Sequence, residues 1–124
     1  MKAYVVDDQR AIVEMLTLIL GDMGVDVVGA TDPLQAREAI AALQPDLVML
    51  DVMMPGLDGL TLLEQLQSDP RTGSIPVVLC TAAVLSPSQS RLFSDQGIGI
   101  LSKPFDVEQL HTIVDGVART LQNT

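Results

Sequence analysis

Two periodicities alternate along this chain, and the alternation leaves few folds open. Short apolar runs recur at Ala3–Val6, Val25–Gly29, Asp46–Leu50, Val77–Cys80 and Ile98–Leu101. The segments between them read as helices. From Gln9 to Met23 the apolar set Ile12, Val13, Met15, Leu16, Ile19, Leu20 and Met23 falls mostly at i, i+3, i+4 spacing. Gly24 is a helix stop. Asp32-Pro33 opens a second helix, with Asp as N-cap and Pro in the first helical position, and Pro45 lies just beyond its end near Leu43. A third helix covers Leu57–Gln67, starting near Asp58, and Pro70–Pro76 is a loop. A fourth starts at Ser86-Pro87-Ser88 and stops near Gln96-Gly97. The last starts near Phe105-Asp106 and carries Val107, Leu110, Ile113, Val114, Val117 and Leu121.

Five strands thus alternate with five helices. Runs of this kind are what strands covered on both faces look like. Right-handed crossovers then give an α/β fold, an open, doubly wound parallel sheet. The 124 residues suit one domain, read here as 1–124 with no linker and no effector domain.

Composition narrows the function classes. Hydrophobic residues make up 48% and are nearly all aliphatic, with Tyr4, Phe93 and Phe105 the only aromatics. That disfavours a base-stacking surface or a flavin platform. The net charge of −9, with seven scattered Lys and Arg, argues against direct nucleic-acid binding. The single cysteine, Cys80, forms no internal disulfide and reads as a small core residue. The start MKAYVVDDQ has no apolar leader, and no apolar stretch is long enough for a bilayer, so the expectation is a cytoplasmic protein without membrane attachment.

A parallel sheet gathers the carboxyl ends of its strands along one edge, where such folds carry their sites. Here those ends bear Asp7 and Asp8, then Asp51, then Thr81-Ala82, then Lys103-Pro104. Alone, each has an ordinary reading. An Asp after a strand caps the next helix, Thr81 is a β-branched strand residue, and Lys103 is a solvated lysine. Together they specify chemistry. Three carboxylates crowded together raise one another's pKa values, and a divalent cation relieves that crowding, with an all-oxygen set suiting Mg²⁺. One carboxylate, helped by the cation and Lys103, can then attack phosphorus. Asp51, set in the apolar run VMLDVMM, is the residue that most needs such an explanation.

Asp7-Asp8, Asp51 followed by VMMPGLDG, Thr81-Ala82 and Lys103-Pro104-Phe105 together resemble the receiver domain of two-component response regulators. The resemblance spans essentially the whole chain. It implies a flavodoxin-like strand order 2-1-3-4-5 and Mg²⁺-dependent phosphorylation of Asp51 by a sensor histidine kinase or phosphotransfer protein. Asp8 would ligate Mg²⁺ directly, Asp7 mainly through water, and the Met53 backbone carbonyl would be a further ligand. Lys103 would pair with the phosphoryl group, Thr81 would turn toward it with Ala82 moving alongside, and the Lys103–Pro104 peptide would be cis, as only X-Pro bonds readily are. The chain would catalyse only its own phosphorylation and dephosphorylation. Its output would pass to a downstream protein target or a phosphorelay. The kinase would dock near the first helix and the loop after Lys103, around Ile12, Met15 and Phe105. Receivers dimerise through several faces, so a homodimer stays open.

The chain departs from the family pattern in three places. Ile100 stands where an aromatic commonly couples to the Thr, so ring rotation cannot report phosphorylation. The signal would instead run through Thr81 and the loop after it. Met53 and Ala83 cannot align an attacking water, which implies slow self-dephosphorylation. Asp58-Gly59 reads as turn and cap chemistry. His111 reads as a solvated or half-buried residue of the last helix, whose apolar stripe is core first; any part reaching the surface would serve a partner or a second copy. Two other classes compete. A pseudo-receiver would bind a partner without phosphorylation, a reading the intact five-residue set opposes. A phosphatase with an Asp nucleophile needs a second acid close after Asp51, and Val52 to Met54 supply none. A flavodoxin-like cofactor binder would need a phosphate-cradling glycine loop, which is missing.

Overall fold

The alternating pattern becomes a five-stranded, all-parallel sheet in the order β2-β1-β3-β4-β5. In chain order the elements are β1 (Lys2–Val6), α1 (Arg10–Asp22), β2 (Asp26–Ala30), α2 (Pro33–Leu43), β3 (Leu47–Asp51), α3 (Gly59–Ser68), β4 (Val77–Thr81), α4 (Pro87–Asp95), β5 (Gly99–Ser102) and α5 (Val107–Gln122). The computed structural model describes residues 1–52, 59–81, 86–103 and 106–122.

Side-chain alternation along the strands splits the core in two. Tyr4, Val6, Val48, Leu50 and Leu79 face one side, where Ala36 and Ile40 of α2, Leu62 and Leu66 of α3 and Phe93 of α4 cover them. Val5, Leu47, Met49, Val78, Cys80 and Leu101 face the other, under Leu16 and Leu20 of α1 and Leu110 and Val114 of α5. Each of these large aliphatic side chains contributes about 1.5–3 kcal/mol by leaving water.

The central strands β3 and β4 are buried at every position, as continuous apolar runs should be. The second strand corrects that expectation. Asp26–Ala30 lies at the sheet margin with no buried residue, and Val28 is 45% exposed. An apolar run does not reveal on its own whether a strand is central or marginal.

Helix boundaries follow the expected caps. Asp32 accepts a hydrogen bond from Leu34 N at 3.0 Å. Ser86 and Gln89 form a reciprocal capping box at the start of α4. Asp106 and Gln109 exchange the same pair of bonds ahead of α5. Helix α2 ends at Gln44, which adopts φ 52° before Pro45, a residue that disfavours helix in its predecessor. Gly24 and Gly97 take positive φ after α1 and α4 and turn the chain into the next strand.

The loop after α3 carries a charged clamp. Arg71 binds Asp69 at 2.8 Å and Glu38 of α2 at 3.1 Å, and Arg37 approaches Asp69 at 3.7 Å. The Arg71 carbonyl accepts a bond from the Gln44 side chain at 2.7 Å. Segments far apart in sequence are thereby fastened together at the edge opposite the strand carboxyl ends.

Candidate functional site

The strand carboxyl ends hold the residues that the sequence singles out. Asp7 follows β1, and its amide donates to Ala30 O at 3.1 Å, prolonging the β1–β2 ladder. Asp51 is itself the last residue of β3, paired in register with Cys80. Thr81 closes β4, and its carbonyl accepts a 2.7 Å bond from Lys103 N just past β5. Both strands run one residue further than their apolar runs. Ladder bonds are made by the backbone, so a polar side chain does not end them.

Asp7 is 2% exposed, Asp51 6% and Thr81 1%; Asp8 is the most open of the three carboxylates. Carboxylate oxygens of Asp7, Asp8 and Asp51, one from each, all lie within 4.8 Å of one another. Buried carboxylates at this spacing need cationic company. Lys103 provides part of it, with its ammonium 2.7 Å from Asp7 Oδ2 and 3.5 Å from Asp51 Oδ2. The other Asp7 oxygen, Oδ1, accepts the Gln9 amide at 2.9 Å. Burial acts against the Lys103 charge, but the Asp7 hydrogen bond and the charges of Asp7 and Asp51 outweigh it and raise the lysine pKa.

Three hard oxygen donors converging beside one ammonium fit a hard divalent cation. The donor set contains neither thiolate nor imidazole. Cys80 lies beneath the cluster as a neutral thiol: burial pushes its pKa up to about 12, with Lys103 opposing and Asp7 and Asp51 adding to the rise. His111 is exposed on α5 and borders a shallow groove with Ile19, Asp22, Met23 and Val107.

The structure therefore brings together Asp7, Asp8, Asp51, Thr81 and Lys103. Ile100 lies elsewhere, half-buried against the α2–α3 side of the core and in register with Leu79. Met53 and its carbonyl, Asp58, Ala82, Ala83, the Lys103–Pro104 peptide and Phe105 lie outside the described residues. Sequence reasoning missed the choice Lys103 makes among the carboxylates. It also missed Gly59, whose backbone touches that of Asp51 and whose only sequence signal is the Asp58-Gly59 pair.

Comparison with known proteins agrees with this geometry. Residues 3–115 match the sequence profile of the response regulator receiver domain, and the chain belongs to that family. It is 36% identical over 118 residues to the DNA-binding dual master transcriptional regulator RpaA of Synechocystis, covering 95% of this chain and 49% of that protein. It is 41% identical over 107 residues to a Xanthomonas oryzae protein-glutamate methylesterase/protein-glutamine glutaminase, covering 83% of this chain and 29% of the relative. The chain thus spans half or less of these relatives' length. Among solved structures, the N-terminal domain of a response regulator receiver protein from Methanoculleus marisnigri superposes with TM-score 0.78 at 34% identity, covering 94% of each chain. Chemotaxis protein CheY4 of Vibrio cholerae gives TM-score 0.82 at 27% identity, covering 94% of this chain and 97% of that one.

Proposed function

We propose that this receiver accepts a phosphoryl group on Asp51 from a phosphohistidine of a sensor kinase or phosphotransfer protein, in a Mg²⁺-dependent reaction. The observation that carries the reading is the convergence of the three carboxylates with Lys103, 3.5 Å from Asp51 Oδ2. A carboxylate oxygen of Asp51 forms the new O–P bond as the donor's N–P bond breaks, and the imidazole leaves with that electron pair. Lys103 faces the oxygens on which negative charge gathers, and its fixed position lowers the barrier without reorganisation. Asp7, Asp8, Asp51 and the Met53 carbonyl would hold Mg²⁺, which when bound neutralises phosphoryl charge. Asp7 also holds the ammonium in place.

Output runs through Thr81. Its hydroxyl donates to a phosphoryl oxygen and draws Ala82 with it. Ile100 has no ring to swing, so the change travels along the chain after β4 to a downstream protein target. The donor docks on α1, where Met15 is 37% and Leu18 74% exposed beside half-buried Ile12. With net charge −9, we place nucleic-acid contact outside this chain. A pair of structures with and without a phosphoryl mimic, unchanged from Thr81 to Ile100, would refute the output route.

Intact-protein mass tests the acceptor. Incubation with acetyl phosphate and Mg²⁺ should add one phosphoryl group, and Asp51→Asn or EDTA should abolish the gain. A chain that gains nothing, and that also fails to bind beryllofluoride, is a pseudo-receiver and the proposal fails.

A further inference from the structure

Gly59 opens α3, and its amide donates to Val52 O at 3.0 Å, which ties the start of α3 to the residue that follows β3. A Cβ placed on Gly59 would collide with the carbonyl oxygen of Asp51 and lie 2.9 Å from both the Asp51 carbonyl carbon and Val52 Cα. All three obstacles are backbone atoms, so no rotamer change can make room. The φ of Gly59 is not in the left-handed region, so the demand is for space rather than for an unusual conformation. Gly73 also faces backbone, but its nearest obstacle, Gln67 O, is 3.0 Å away. At Gly116 and Gly21 a Cβ meets nothing within 4 Å. At Gly29 the obstacle is a side chain, Val13.

We infer that Gly59 is a positioning residue for the phosphoryl acceptor: its bare Cα lets the start of α3 seat against the Asp51 main chain and so fixes where the Asp51 carboxylate stands. Any side chain there must push back the end of β3. That end is held from the other side by Val52 N donating to Cys80 O at 3.1 Å, so the strain falls on the acceptor peptide. The Asp51 carboxylate then shifts relative to Asp7, Asp8 and Lys103, which belong to other strand ends. Sites of this kind tolerate about 0.5 Å of displacement. A misplacement of about 1 Å costs on the order of a hundredfold in rate. The inference rests on Asp51 being the acceptor.

The test compares Gly59→Ala with Ile40→Ala, a core substitution at the far end of α2 that lowers stability without touching the site. Mg²⁺ affinity is measured by titration calorimetry, and phosphorylation by acetyl phosphate is followed by mass, both where each protein is folded. Gly59→Ala should weaken Mg²⁺ binding about tenfold and slow phosphorylation by roughly tenfold to a hundredfold. Ile40→Ala should leave both within about twofold of the original. Equal binding and rate in Gly59→Ala and the unsubstituted chain would overturn the inference, as would equal losses in Ile40→Ala. If Gly59→Ala does not fold, it is repeated in the Gly116→Ala background. Failure there too would make Gly59 a requirement of the fold and overturn its assignment as a positioning residue. An unsubstituted chain that neither binds Mg²⁺ nor gains phosphate would instead overturn the acceptor reading.

Discussion

The Lys103 ammonium lies 2.7 Å from Asp7 and 3.5 Å from Asp51, so the lysine is held first by Asp7 and only second by Asp51, the proposed acceptor. Asp7 receives it on one oxygen and the Gln9 amide on the other, which fixes the carboxylate plane. The ammonium is thus already fixed at the place where, under the proposed function, it would meet a phosphoryl group.

Lys103→Met should slow phosphorylation of Asp51 by about 10²–10³, the usual loss when a fixed partner of developing oxyanion charge is removed. Lys103→Arg should not restore the rate, because a planar guanidinium cannot occupy the place of a compact ammonium between two carboxylates. Initial rates of mass gain with acetyl phosphate check both.

Asp8→Asn should stabilise the metal-free protein by about 0.5–2 kcal/mol, since it removes one of three crowded charges. The same change should abolish the stabilisation that Mg²⁺ brings, which for the unsubstituted chain is about 2.7 kcal/mol at a hundredfold excess over Kd. Denaturant titrations with Mg²⁺ and with EDTA measure both effects, and a stabilising response to Mg²⁺ in Asp8→Asn would count against the ligand set.

Acid stability should depend on Asp69. Hydrogen bonds from the Arg71 side chain and backbone, aided by the Arg71 and Arg37 charges and opposed by burial, hold its pKa at about 2, below the ordinary 3.8. A depressed carboxyl pKa means that the unfolded chain binds the proton more readily. Its contribution is therefore complete above pH 3.8 and disappears as pH falls toward 2. Asp69→Asn should flatten the stability profile across that window, as read by urea midpoints.

Gly116→Ala should raise stability by about 1 kcal/mol, because glycine inside a helix is costly and nothing obstructs a methyl group at this position. Gly116 borders a cavity of about 390 Å³ formed with Leu66, Thr72, Gly97 and Thr120. Thermal melts should show the gain, with phosphorylation unchanged.

Most of the site was legible because parallel topology converts sequence order into spatial convergence. Strand ends 44 residues apart, Asp7 and Asp51, must meet once β1 and β3 are neighbours. What stayed hidden depends on side-chain packing and long-range pairing. The apolar run at Val27 and Val28 does not by itself disclose the exposure of β2, which comes from the edge position that the order 2-1-3-4-5 gives that strand. Arg71 sits in a segment that reads only as loop, and its bond to Glu38 crosses 33 residues. The contact of Gly59 with Asp51 is a matter of clearance, for which sequence offers only a small residue after an aspartate.

Asp51 ends a strand that is flanked by β1 and β4 and buried at every residue between the two halves of the core. Amides of β3 should therefore be among the slowest to exchange with solvent, opening only near global unfolding. Strand β5 is marginal, and its Ser102 is exposed. Under the proposed function, a phosphoryl group on Asp51 would be attached to the part of the chain that gives least, and the displacement it causes would appear away from β3, toward β5, where opening costs less. Hydrogen exchange before and after phosphorylation would then register the event chiefly at residues that do not carry the phosphate.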